Sequence, residues 1–279
     1  MRRTSVRDIA RMKAEGRRIP VVTAYDYTSA RIADDAGIPV LLVGDSLGMV
    51  VLGYESTIHV TMDDMISHIR AVSRGSKQAL IVGDLPFMSY QVGGEDALRN
   101  GGRLLQEGYA HAVKLEGGAR VVESVHRMVE AGIPVMGHIG LTPQSVNEFG
   151  GYRVRGRDKV EAGELMSDAL ALQDAGAFSV VLELVPAALS REISQRLSIP
   201  TIGIGAGPHC DGQVQVFHDI MGLYTDFVPK HTRRYVEAAA LMSEGMAAYA
   251  SQVGDGSFPS LDESFSMDES ALEGLEAAR

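Results

Sequence analysis

The hydrophobic positions of this chain fall in short blocks separated by polar, glycine-punctuated segments. Val40-Leu41-Leu42-Val43 and Ala79-Leu80-Ile81-Val82 are apolar at odd and even positions alike, so neither has a solvent face. Such runs predict strands covered on both sides, as in a parallel sheet packed between helices. Candidate strands lie at 20–24, 40–44, 79–83, 110–115, 133–137, 178–183, 200–204 and 226–229. Between most of them the apolar spacing becomes helical. The clearest case is 62–73, with Thr61 as N-cap and Asp63 and Asp64 in the first turn. Met62, Met65, Ile66, Ile69 and Val72 form its apolar stripe. Further helices are expected over 28–36, 94–107, 119–131, 161–175 and 187–197. Ala36-Gly37, Ala131-Gly132 and Ala175-Gly176 read as glycine stops.

Eight strands alternating with helices predict an α/β protein, a (β/α)8 TIM barrel, rather than an open sheet. A short amphipathic helix over 5–17 precedes the first strand and is placed to close the barrel bottom. The barrel is expected to form one catalytic domain over 1–265, with a flexible acidic tail over 266–279. No Gly-x-Gly-x-x-Gly follows the first strand. Gly203-Ile204-Gly205-Ala206-Gly207-Pro208 puts proline where the last glycine of that motif belongs, and reads as a close-approach turn. A long polar stretch, 142–158, carries Gly150-Gly151 and three arginines; loops of that kind are usually lids or binding loops.

Composition narrows the function classes. The chain has 279 residues, enough for one large barrel, and no apolar run long enough to span a bilayer. The first residues lack the apolar core of a signal peptide, and Cys210 is the only cysteine, so a cytoplasmic setting is expected. Cys210 itself reads as a small structural residue. The net charge is −10, and residues 252–279 hold seven acids against one arginine. No basic stripe suggests nucleic acid, and nothing suggests a membrane.

The chemistry gathers at strand ends, which share one rim in a barrel. Asp45-Ser46 follows the second strand and Asp84 the third; Lys114, Glu116, His138 and Glu183 close the fourth, fifth and sixth. The strand period puts Lys114 and Glu116 on one face, which should be the mouth, since the outer face is covered by helices. Taken singly, Asp45 or Asp84 could cap a helix, Lys114–Glu116 could be an ion pair, and His138 a core histidine. Glu183, set among Val181, Leu182, Leu184 and Val185, is harder to explain structurally, and its surroundings should be dry. Four converging carboxylates facing one lysine call for a hard divalent cation, magnesium rather than zinc. Three acids on the ion and one spare would suit enolisation of a 2-oxo acid. The ion would grip its carbonyl and carboxylate, the spare acid would take the neighbouring proton, and Lys114 would offset the enolate's charge.

Seven stretches stand out in order: Thr23-Ala24-Tyr25-Asp26, Val43 through Gly48, Gly83 through Phe87, Ala112 through Gly118, Met136 through Gln144, Gly150 through Val154 and Gly203 through Gly207. Together they resemble the ketopantoate hydroxymethyltransferase family. The resemblance runs in order from about residue 3 to 265. It implies transfer of a one-carbon unit from 5,10-methylenetetrahydrofolate to 3-methyl-2-oxobutanoate, through a magnesium-stabilised enolate, giving 2-dehydropantoate for pantothenate. It further implies one magnesium per subunit on Asp45, Asp84 and Glu116, the last directly or through water. Oxo-acid contacts would come from Asp45, Ser46, Asp84 and Lys114, with His138 near the incoming hydroxymethyl group and Glu183 as proton acceptor. Members of the family are cytoplasmic homo-oligomers that form large rings, decamers among them. A lyase or mutase of the phosphoenolpyruvate/isocitrate-lyase type is the nearest alternative, since it shares fold and metal; a catalytically silent barrel serving as an assembly subunit is another.

Overall fold

The computed structural model describes residues 2–149, 151 and 153–275. Its eight strands are β1 (Ile19–Thr23), β2 (Val40–Val43), β3 (Leu80–Asp84) and β4 (Ala112–Glu116), then β5 (Val135–Gly140), β6 (Ser179–Glu183), β7 (Thr201–Ile204) and β8 (Gly212–Gln215). They pair in sequence order, all parallel, and β8 returns to β1 to close a barrel. The TIM barrel expected from the alternating pattern is therefore present.

Two hydrophobic layers explain the closure. Ile19, Val21, Val40, Leu42, Leu80, Val82, Ala112, Met136, Val181, Ile202 and Val214 form one buried cluster inside the barrel. Their neighbours in each strand, such as Leu41, Ile81, Val113, Val135 and Val180, join a second cluster with the surrounding helices. Ile9 belongs to the inner cluster, so the helix Val6–Ala14 plugs the N-terminal end. Ser5 and Asp8 cap that helix reciprocally. The helix Met62–Gly75 starts at Thr61, which accepts from Asp64 N, and buries Met65, Ile66, Ile69 and Val72. Gly37, Gly132 and Gly176 leave their helices at φ of 79°, 86° and 94°, which a side chain would resist.

The structure corrects two sequence expectations. The eighth strand is Gly212–Gln215, and 226–229 is irregular, with Phe227 and Val228 exposed. β8 contains one aliphatic residue, Val214, and so carries no hydrophobic run by which to find it. Gly212 is needed there because a Cβ would strike the Ile19 carbonyl where the barrel closes. The second difference is a helix, Ala238–Asp255, in a stretch where the sequence suggested no helix. None of its residues is buried. Leu241, Met242, Met246, Tyr249 and Val253 all face solvent. Its sequence is apolar on most sides, so no periodic stripe set it apart from its surroundings.

In the 142–158 segment, Pro143–Ser145 and Val146–Phe149 form single turns. Gly150 and Tyr152, parts of the expected lid, lie outside the described residues. Beyond Ser260 the chain makes two short turns, Leu261–Glu263 and Glu269–Leu272. Among the described residues no helix is long and apolar enough to cross a membrane.

Candidate active site

The inward parity that places aliphatics in the barrel continues upward into charge. On β3 the inner positions run Leu80, Val82, Asp84; on β4 they run Ala112, Lys114, Glu116. On β5 Met136 is followed by His138, and on β6 Val181 by Glu183. Strand register then pairs Asp84 with Lys114 and Glu116 with His138. Asp45 enters from the turn after β2, where its backbone N lies 3.4 Å from Asp84 Oδ2. Ser46 begins the next turn, with its Oγ 2.8 Å from Tyr25 Oη. The sequence-derived residues thus converge on one mouth.

Their electrostatics are unbalanced. Asp45, Asp84, Lys114, Glu116 and His138 are each no more than 5% exposed. Lys114 Nζ sits 2.8 Å from Asp84 Oδ1 and 3.9 Å from Glu116 Oε1. Burial pushes the Asp45 carboxyl up to about 7, and the negative Asp84 adds to the rise. Burial likewise raises Glu116 well above the ordinary carboxylate range, against the pull of Lys114. Burial alone would lower the Lys114 ammonium, but Asp84, Glu116 and Asp45 more than reverse it and hold the proton on. His138 is pushed down by burial and by Lys114. Its Nδ1 lies 3.3 Å from Lys114 Nζ, which can only donate, so the imidazole is neutral with its proton on Nε2. That nitrogen points toward Glu183 Oε2, 3.2 Å away but off the line of a good hydrogen bond.

Glu183 departs from the sequence expectation of a dry site. Its side chain is 17% exposed, more than its neighbours in the cluster. The strand ends there, and Leu184 takes a φ of 46°. That is a costly conformation for a bulky side chain, and it turns the chain just past the strand end. No periodicity argument could have shown that bend.

Among the described residues no three acidic, histidine or cysteine side chains form a ready-made metal cage. The cluster nevertheless suits magnesium, which takes few protein carboxylates and keeps water and substrate oxygens as its other ligands. Asp84 Oδ1 is buried against Lys114 Nζ, and three carboxylates share that one lysine, so added positive charge would relieve the site.

Sequence reasoning overlooked the residues that hold the cluster from behind. Gln144 is buried and donates through Nε2 to Asp45 Oδ2 (2.8 Å) and to the Leu85 carbonyl (2.9 Å). Its backbone N donates to Glu116 Oε2 at 3.0 Å. Tyr90 Oη donates to Gln144 Oε1 at 2.7 Å and accepts from Glu116 N at 3.2 Å. Both sit in loops, where spacing carries no periodic signal; Thr142-Pro143 before Gln144 was the nearest cue, as a chain stop just past a strand end. His231, from the segment after β8, comes within electrostatic reach of Glu183 and was likewise missed. Beyond Glu116, Gln144 and Tyr90 opens a cavity of about 890 Å³, walled further by Phe87, Arg120 and Asp168.

Comparison with known proteins gives a consistent result. The family model described as ketopantoate hydroxymethyltransferase matches residues 3–261. A 3-methyl-2-oxobutanoate hydroxymethyltransferase of Chloroflexus aurantiacus is 59% identical over 270 residues, covering 97% of this chain and 95% of the relative. One from Dehalococcoides mccartyi is 55% identical over 273 residues, covering 98% of each. Among solved structures, a 2,3-dimethylmalate lyase of the PEP mutase/isocitrate lyase superfamily matches with a TM-score of 0.58 at 18% identity. It covers 94% of this chain and 92% of that one, a likeness of fold.

Proposed function

This chain belongs to the ketopantoate hydroxymethyltransferase family and is a hydroxymethyl-transferring enzyme, and from that premise we propose its substrates and the work of each residue. It moves a one-carbon unit from 5,10-methylenetetrahydrofolate to 3-methyl-2-oxobutanoate, giving 2-dehydropantoate on the route to pantothenate. The observation that carries this reading is the convergence of Asp45, Asp84 and Glu116 around Lys114, with Glu183 beside them across His138.

Asp45, Asp84 and Glu116 would hold one magnesium per subunit, Glu116 directly or through water. When bound, the ion supplies Lewis-acid polarisation of the oxo acid's carbonyl. Ser46, oriented by Tyr25, and Lys114 bind the polar end of the oxo acid, with Asp45 and Asp84 beside it. Glu183, the least buried acid of the cluster, accepts the C3 proton. Lys114 stays charged and offsets the negative charge left on the substrate. His138, neutral, stands between Glu116 and Glu183 and orients the incoming group. The cavity beyond Glu116 and Gln144 offers room for the larger folate substrate.

The same reading makes the chain a cytoplasmic homo-oligomer, a decameric ring. The solvent-facing apolar residues of Ala238–Asp255 support this, since a helix that buries nothing on its own barrel needs a partner to cover it. The rival lyase or mutase reading draws only on the shared fold.

The test of the base is solvent deuterium exchange into 3-methyl-2-oxobutanoate, followed by NMR without folate. Glu183→Gln should keep magnesium and oxo-acid binding and slow exchange by about two to four orders of magnitude. Exchange at the native rate would move the base elsewhere, with His138 next in line.

A further inference from the structure

Gln144 touches two of the three carboxylates assigned to the cation, and the directions of its hydrogen bonds are fixed by chemistry. The Leu85 carbonyl can only accept, so the atom 2.9 Å from it must be the amide nitrogen. Tyr90 Oη already accepts from Glu116 N, so its own proton goes to the amide oxygen, where Gln91 Nε2 also donates at 3.2 Å. The amide therefore cannot flip. A directed chain results, running from Glu116 N–H through Tyr90 and the Gln144 amide to Asp45 Oδ2. The Gln144 backbone closes it by donating to Glu116 Oε2. One oxygen of Asp45 and one of Glu116 are thus occupied, and the second oxygen of each is left available.

We propose that Gln144 is the positioning residue of the cation site: held by Tyr90, it fixes which oxygens of Asp45 and Glu116 are presented to the ion. This rests on reading the cluster as a magnesium site. Buried partners of that kind hold ligating carboxylates in one rotamer, and their loss typically weakens metal affinity about 10- to 100-fold. Substitution by glutamate keeps the shape but turns the donor facing Asp45 into an acceptor. Methionine keeps the volume and removes all four side-chain hydrogen bonds.

The test uses the full-length protein and manganese as an electron-spin-resonance probe of the ion site, with folding followed by circular dichroism. Gln144→Glu and Gln144→Met should stay folded and bind manganese at least about tenfold more weakly. In turnover, the magnesium concentration for half activity should rise by a similar factor. Asp84→Asn serves as the reference. If Asp84→Asn also binds manganese as the native protein does, the cation site itself is misplaced. If Asp84→Asn loses the ion while both Gln144 variants bind it normally, the positioning role is overturned and the site stands. Should the Gln144 variants fail to fold, Tyr90→Phe removes only the hydroxyl that holds the amide. Native manganese affinity in that variant would equally overturn the proposal, and a several-fold loss would support it.

Discussion

The two ends of the barrel treat buried acids in opposite ways. At the N-terminal end Asp34, buried at the close of the helix Tyr27–Asp35, accepts from Ser76 Oγ (2.7 Å), Lys77 N (2.9 Å), Gln78 N (3.0 Å) and Ala79 N (2.9 Å). Burial alone would raise its pKa, but those donors overrule it and the carboxyl is held below its usual range. Asp8, bonded to Ser5 and paired with Arg2 and Arg11, is drawn down to about 2. Lys13 reaches across to Asp211 at 2.9 Å and to the Ser194 and Ile199 carbonyls. At the mouth, Asp45 and Glu116 are pushed up instead, because burial removes water and the few donors do not replace it. One end is satisfied and holds the fold; the other is left in want of positive charge and is free to do chemistry.

If that division is real, the largest effect on activity should come from the mouth. Asp84 is paired with Lys114 and 1% exposed. Asp84→Asn should lower turnover by at least about a hundredfold at fixed magnesium, while the melting temperature changes little or rises. Near-native turnover would remove Asp84 from the ligand set. A loss of fold would mean that the mouth, too, is structural.

The contrasting variant is Asp34→Ala. It strands a hydroxyl and three backbone N–H groups and should cost roughly 3 kcal/mol of stability with turnover kept in whatever remains folded. Thermal unfolding across pH gives the sign. Asp34's pKa is depressed, so its contribution is present above the ordinary carboxylate pKa and is lost as pH falls through the folded value. The native protein should therefore lose stability below about pH 4, and Asp34→Ala should lose less there. A raised pKa runs the other way: what Asp45 contributes is fully present below the ordinary carboxylate pKa and disappears as pH rises toward about 7. If Asp34→Ala kept the acid limb of the native protein, the opposition between the ends would not hold.

How far the sequence revealed each end follows from physics. Seven strands were legible because short, largely apolar blocks bounded by glycine or proline alternate with helical patterns, as covered parallel strands do. β8 was not, since Gly212-Gln213-Val214-Gln215 is made by a close approach to β1 rather than by hydrophobicity. The charged residues of the mouth were legible for the same reason in reverse: Lys114, Glu116 and Glu183 interrupt runs that should be apolar. Gln144 and Tyr90 interrupt nothing. Neutral polar residues in loops are what sequence patterns expect there, and only the fold shows that they reach inward. The bottom network was opaque too, because Asp34 and Ser76 look like ordinary surface residues until their donors are seen.

The smallest expected effect lies on the rim of the mouth, in the segment 153–157. Arg153 and Arg155 both approach Glu161, at 3.2 and 3.3 Å, and Arg157 is exposed. Arg155 also lines the 890 Å³ cavity. A folate carries an anionic glutamate tail, and exposed arginines beside its entry would attract it by long-range charge. Replacing all three by alanine should raise the apparent KM for the folate about three- to tenfold, with the oxo acid's KM unchanged. The folate effect should shrink at high salt, because exposed charges are screened within about 10 Å at 0.1 M. The variant also releases Glu161, which accepts from Gly156 N at 2.8 Å, so the loop itself could shift. Arg157→Ala alone separates the two causes, since it removes charge and leaves the Glu161 contacts in place. A salt-dependent rise in folate KM in that single variant supports steering. A change confined to the triple variant, equal for both substrates and indifferent to salt, would make the arginines braces for the loop, and the rim would then belong with the structural end of the comparison.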